Sequence, residues 1–414
     1  MKKIILFGLH YESNLGDQVI GTCVNYLLNK SIESKNQKIL VVPVDMLGRK
    51  EHQSYTRNLI QKSKSKEFIK SFLSNDILKR INKLRNSLSD KKNSREIRIN
   101  TRNLCENVID SDVIGIVFAG GGIVKFKAQE FYLLIDEITK YADDRNIPVM
   151  LNAVGVEGFD YKSSKCRTLQ HALNRKCIKV ITTRDDLNTL NNKYLNQNNH
   201  CLTDKVADPA FWADVVYEKS IAANKIATVG LSVARSGIFE DHDISFNRED
   251  IMCFWKKLIE LLDQNNISWR LFCNGTFADY DFLCDLLNEP EFINRKNIVA
   301  LNRAKDGDEL INQISSFDVV IACRLHAGII SYTLGVPEVM LVWNNKQIYF
   351  SELIGYNDRF LTRENITAEN ALKKIIQILE EKYPVYSKNL LRAKTYRILD
   401  EFVEKTISGE YDVL

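Results

Sequence analysis

Val319-Val320-Ile321-Ala322-Cys323-Arg324-Leu325-His326-Ala327-Gly328 reads as a strand handing over to a helix. Its first four residues are an unbroken apolar run, the pattern of a strand buried on both faces. The residues after Arg324 are apolar at helical spacing and end at Gly335-Val336-Pro337, a glycine and proline stop. A strand that passes straight into a helix is half of a parallel α/β unit, and such sheets bind ligands at the carboxyl ends of their strands. Arg324 and His326 stand at that end. A guanidinium holds a carboxylate or phosphate bidentately, and an imidazole moves a proton near neutral pH. The pair therefore reads as an anion site with acid–base capacity. On this stretch alone a salt-bridged Arg324 beside a capping or core His326 stays open.

The same alternation extends in both directions. Residues 3–8, 38–44, 112–119, 147–154 and 177–183 predict the strands of one α/β unit. Residues 226–233, 269–273, 298–301, 318–322 and 338–343 predict those of a second. Helical patterns at 17–30, 129–144, 184–195, 248–265, 279–288 and 307–316 lie between them. At 414 residues the chain is long for one core. We expect two doubly wound, Rossmann-like α/β domains, one over 1–215 and one over 216–380, and a helical segment over 381–414 that packs back on the first.

Composition narrows the chemistry. Hydrophobic residues make up 45% and charged residues 27%, as in ordinary globular proteins. The nine cysteines show no C-x-x-C pair, and the six histidines no metal spacing, so neither a disulfide framework nor a metal is expected. No G-x-S-x-G elbow supports a serine hydrolase, and Gly16 belongs to no G-x-G-x-x-G pattern. The apolar run 4–7 is too short for a signal peptide and nothing approaches a membrane span, so a cytoplasmic location is expected. The net charge of +4 hides an asymmetry: residues 49–102 carry 16 Lys/Arg against 5 Asp/Glu, a balance of +11, which leaves −7 for the rest. Apolar residues at helical spacing accompany that charge, from Phe68 to Leu88. This insertion reads as a basic amphipathic helix for a lipid-linked acceptor or the inner membrane face, or as a packed helix with a solvated basic face. No motif for nucleic acid accompanies it.

Several blocks together resemble one family. Arg324-Leu325-His326-Ala327 is followed by Gly335-Val336-Pro337, a strand, Lys346, Phe350 and Gly355. Asn14-Leu15-Gly16-Asp17 follows the first strand, and Gly120-Gly121-Gly122 follows another. Asp208-Pro209-Ala210-Phe211 and Gly230-Leu231-Ser232-Val233-Ala234-Arg235 lie between. This set resembles the polysaccharide pyruvyl transferase family, with Trp343 standing where members commonly carry Tyr and Lys125-Phe126 more basic and aromatic than usual. The resemblance implies a glycosyltransferase-B-like pair of domains facing across a cleft. It implies transfer of the pyruvyl group of phosphoenolpyruvate onto a sugar of a cell-surface polysaccharide precursor, without cofactor.

On that reading His326 and Arg324 are the catalytic candidates. Arg324, Leu325, His326, Arg235 and Lys346 would bind the donor. Asn14, Gly16, Asp17, Gly120, Gly121, Gly122 and Arg184 would line the acceptor side. Arg235 is preferred over Arg184 as the second donor cation because it shares a domain with Arg324. Two other readings stay open: a glycosyltransferase of the same architecture with a nucleotide-sugar donor, and an inactive glycan-binding scaffold.

Overall fold

A computed structural model describes residues 1–52, 54–55, 93–127, 131–195, 200–219, 227–293, 300–381 and 388–412. Most of the basic insertion over 49–102 lies outside the described residues, and with it the amphipathic helix expected there. Among those described, eleven strands form two sheets. The first contains β1 (Lys3–Gly8), β2 (Leu40–Asp45), β3 (Val113–Val124), β4 (Val149–Val156), β5 (Ile178–Thr183) and β6 (Leu202–Lys205), in the order β2-β1-β3-β4-β5-β6. The second contains β7 (Thr228–Val233), β8 (Ser268–Cys273), β9 (Val319–Ala322), β10 (Glu338–Leu341) and β11 (Phe360–Leu361), in the order β11-β10-β9-β7-β8. Every pairing is parallel.

Strand order reverses between β1 and β3 in one sheet and between β7 and β9 in the other. Segments leaving the carboxyl ends of those strands diverge and open a crevice, the usual ligand position of this architecture. The helices that matter for the crevice are α1 (Leu15–Ser34), α2 (Phe131–Asp143), α3 (Arg248–Gln264), α4 (Phe277–Leu287), α5 (Gly307–Ser315), α6 (Leu325–Leu334), α7 (Asn345–Ile354) and α8 (Lys388–Ser408). Their ends follow local chemistry. An Asn247/Asp250 capping box starts α3, and α6 and α7 stop at Gly335 and Gly355 in the left-handed conformation.

Burial explains why the central strands read as continuous apolar runs. Ile5 and Phe7 face one apolar cluster and Ile4 and Leu6 another, so β1 has no solvent face. The cluster holding Ile4 and Leu6 also includes Leu15 and Val19 of α1, Ala322, Leu325 and Ile329 from the second half, and Phe402 of α8. A single apolar mass thus joins the two halves beneath the crevice. Helix α8 packs on α1, where Ser31 Oγ and Lys35 Nζ donate to Asp400 at 2.6 and 2.5 Å.

Three local expectations change. The triple glycine does not follow β3 but runs through its end, with Gly121 paired to Val154 just before a register shift. A Cβ at Gly120 would lie 2.6 Å from the Ala153 carbonyl oxygen, so only glycine lets the strand continue there. Residues 184–195 give a short turn and a π-helix rather than a regular helix. At 298–301 the described part holds one isolated bridge, Leu271 to Ala300.

Candidate active site

Both switch points deliver side chains to the same place. From the first come Asn14, Gly16 and Asp17 after β1 and the glycines of β3. From the second come Arg235 after β7 and Arg324 and His326 after β9. Arg184 arrives from the end of β5.

His326 is the point of contact between the halves. It occupies the first turn of α6, is buried, and packs its ring against Gly16 at the start of α1. Arg184 Nη1 lies 3.0 Å from His326 Nε2 and also donates to Asp208 Oδ2. A guanidinium can only donate, so Nε2 accepts and the ring hydrogen sits on Nδ1, on the Gly16 side. Burial first, then the Arg184 charge, holds the imidazole below its ordinary pKa, against the pull of Asp17 and Asp208. His326 is therefore a neutral imidazole at pH 7.

Arg324 is differently placed. Its Nε and Nη2 donate to Asp279 Oδ2 and Oδ1 at 2.8 and 2.6 Å, and Asp279 Oδ1 also accepts from the Arg235 backbone N–H at 2.8 Å. Asp279 is wholly buried, so this fork is fixed. Part of Arg324's donor set is spent within the protein, and its remaining N–H groups are what a ligand would find. The Arg235 side chain pairs with Asp241 and is more than a third exposed. Leu325 belongs to the shared apolar cluster.

Asn14 stands at the N-cap of α1 without capping it. Its Nδ2 donates to Asp17 Oδ2 at 2.8 Å, and its Oδ1 accepts from Asn274 Nδ2 at 2.8 Å. The loop after β1 is therefore tied to the turn after β8. Asp17 faces the triple glycine, where a Cβ at Gly121 would come 2.8 Å from its Oδ1. Lys346, in the first turn of α7, reaches across the crevice to Glu157 Oε1 at 2.5 Å, beside Gly122.

Asp208, Asp279, Glu157 and Lys125 were missed as site residues by sequence reasoning. Asp208 had a signal, the Asp-Pro-Ala-Phe block, in which its Oδ1 caps the following turn while Oδ2 takes Arg184. Asp279 had none, because its partner is 45 residues away.

Two doubly wound parallel units meeting at their switch points define a glycosyltransferase-B-type fold. Solved structures share it. The UDP-GlcNAc 2-epimerase of Neisseria meningitidis bound to UDP-GlcNAc superposes with a TM-score of 0.56 at 12% identity, covering 98% of this chain and 100% of that one. S. aureus MnaA with UDP gives 0.55 at 10% identity, covering 100% and 98%. The UDP-GlcNAc 2-epimerase of Methanocaldococcus jannaschii in complex with UDP-GlcNAc and UDP gives 0.52 at 12%, covering 96% and 100%. At such identity the likeness is one of fold. No curated protein matches the sequence. The polysaccharide pyruvyl transferase family model matches residues 14–345, and the chain belongs to that family. Among the described residues no helix is long and apolar enough to cross a membrane.

Proposed function

We propose that this protein transfers the pyruvyl group of phosphoenolpyruvate to a sugar of a polysaccharide precursor and closes it as a ketal over two hydroxyls. The observation that carries the reading is the buried His326 held between Arg184 and the α1 loop, with fixed cations around it, in a member of this family. The donor has a carboxylate and a phosphate, and one guanidinium cannot neutralise both. Arg184, from the first half, lies against His326, and Arg324 stands two residues before it in the second. Arg184 serves better as the second donor cation than Arg235, whose side chain turns to Asp241 at the rim. Lys346 adds a third positive charge.

The chemistry follows from charge. A bound donor brings negative charge to His326, raises its pKa, and turns the neutral imidazole into an acid. Proton transfer to the methylene carbon makes a methyl group and leaves C2 electrophilic. One sugar hydroxyl adds to C2 and gives its proton back to His326. The second hydroxyl then adds as the C2–O bond to phosphate breaks, and its proton leaves with phosphate. Asp17 and Asn14 line the side from which the sugar approaches. The basic insertion over 49–102 is proposed to attract a diphosphate-linked acceptor at the inner membrane face, its charge balance of +11 being the support.

The test is phosphate release from phosphoenolpyruvate that requires a sugar acceptor, run beside thermal stabilisation by phosphoenolpyruvate and by nucleotide sugars. Tight binding of a nucleotide sugar with indifference to phosphoenolpyruvate would replace this reading with a glycosyl transfer. Binding without turnover of any donor would leave a glycan-binding scaffold.

A further inference from the structure

The cations of the crevice differ in whether their partner carboxylates can leave. Asp279, on Arg324, has 0% of its side chain exposed, and Asp208, on Arg184, has 2%. Both are built in. Glu157, on Lys346, is 38% exposed and is held at 2.5 Å by an ammonium from the other half of the molecule. An exposed carboxylate on a flexible stem is the one an incoming anion can displace.

A second lysine lies close enough for its charge to act on the same carboxylate. Val124 of β3 is in register with Val156 of β4, and the Glu157 N–H donates to the Val124 carbonyl at 3.0 Å. Lys125 and Glu157 are therefore the residues that directly follow β3 and β4, and the Val124 carbonyl ties the two strand ends together there. The Lys125 ammonium stands over the Phe131 ring at the start of α2, 5.0 Å from its centroid, on the edge of the crevice. Burial pulls Lys125 below the ordinary lysine pKa; Glu157 opposes this and Lys346 adds to it. Burial alone would raise Glu157, but Lys346 and Lys125 outweigh it and keep it below the usual carboxylate value, so it is ionised. Two lysines from two halves thus act on a single exchangeable carboxylate, Lys346 bonded to it and Lys125 through its nearby charge. Gly122 forms the floor: a Cβ there would come 3.0 Å from Lys346 Nζ and 3.3 Å from Glu157 Oε1.

We infer that Lys125 and Lys346 form a two-lysine phosphate subsite over the end of β3, and that Glu157 competes with the phosphate for it. The subsite takes a phosphate group, either the donor's own or the diphosphate of a lipid-linked acceptor. Which of these it serves rests on the reaction proposed above; its anion binding does not. Glu157 swings out when the phosphate arrives, and the Lys346–Glu157 tie between the halves is exchanged for one made through the ligand.

Calorimetric titration of the full chain with inorganic phosphate, with phosphoenolpyruvate and with a soluble short-chain prenyl diphosphate tests this without turnover. Glu157→Gln is expected to tighten phosphate binding, because the competing charge is gone. Lys125→Met is expected to weaken it about tenfold or more, the scale of one charge-assisted contact, and Lys125→Arg to retain most of it. Whichever of the two larger ligands loses more on Lys125→Met identifies the source of the phosphate. Unchanged phosphate affinity in a folded Lys125→Met protein overturns the subsite, and weaker binding in Glu157→Gln overturns the exchange. Should Lys125→Met fail to fold, the Glu157→Gln arm decides. If phosphate binding follows this pattern while phosphoenolpyruvate is never turned over, the subsite stands and the proposed reaction falls.

Discussion

Gly16 and His326 share one volume: a Cβ on Gly16 would lie inside contact distance of the His326 Nδ1, Cβ and Cγ atoms. The first turn of α1 and the first turn of α6 come this close only because residue 16 has no side chain. Gly16→Ala is expected to push the imidazole out of line with Arg184 and lower kcat about 10²-fold, the low end of what a positioned proton shuttle supplies. Gly16→Ala on a His326→Gly background, which also removes the β-carbon it would meet, should cost little further activity. The comparison is of kcat for the two single variants and the double, with melting temperature as the folding control. Additive losses would show that Gly16 acts elsewhere.

The charge state of His326 gives a second expectation. Burial and Arg184 hold its pKa below the ordinary value, so at pH 7 it is neutral. If the donor makes it an acid, binding must take up a proton. Calorimetric heats of phosphoenolpyruvate binding should then vary with the ionisation enthalpy of the buffer, and should cease to vary in His326→Ala. The quantity kcat/KM, which follows the free enzyme, should fall as pH rises above the depressed pKa, while kcat holds to higher pH. Buffer-independent heats in the unsubstituted protein would remove His326 as the acid.

Arg324 and Asp279 predict a stability effect that could be mistaken for a catalytic one. Arg324→Ala leaves the wholly buried Asp279 without its bidentate partner. Breaking such a pair from one side costs about 3–5 kcal/mol. A fall in melting temperature is therefore expected with any loss of donor binding, and Arg324→Ala/Asp279→Ala should recover part of it. Denaturation of the four proteins of this cycle measures the coupling. Wild-type stability in Arg324→Ala would mean that the fork is not a structural tie.

These contrasts mark what was legible in the sequence. Ile4–Phe7, Ile116–Phe118 and Val319–Ala322 announce themselves because parallel strands covered on both faces need unbroken apolar runs. The edge strands Leu202–Lys205 and Phe360–Leu361 are short, with a neighbour on one side only, and nothing in their composition stands out. Arg324 and His326 were visible as residues at a strand–helix junction. Their partners were not, since Asp279 and Arg184 lie 45 and 142 residues away and no local pattern encodes such a pairing. The preference for Arg235 followed from its sharing a domain with Arg324; what the sequence did not show is that Arg184, from the other sheet, lies against His326. Lys125 looked like an odd residue after a glycine turn; the register of β3 on β4 is what sets it beside Glu157.

Glu338 opens β10 at the end away from the cleft, with its side chain wholly buried. Neither carboxyl oxygen has a hydrogen-bond partner among the described residues. Burial pushes its pKa up to about 8, with the Arg359 charge pulling the other way. The sign of the consequence is fixed. Between the ordinary value of 4.5 and about 8 the folded protein keeps a proton that the unfolded chain has released. Each step up in pH across that window therefore favours unfolding, and the stabilisation present below 4.5 is lost by pH 8. Glu338→Gln keeps the shape and removes the titration. Its melting temperature minus that of the unsubstituted protein should rise steadily from pH 5 to pH 8 and level off above. A difference that stays flat across this range would mean that Glu338 is ionised in the fold throughout, paired closely enough with Arg359 to offset its burial.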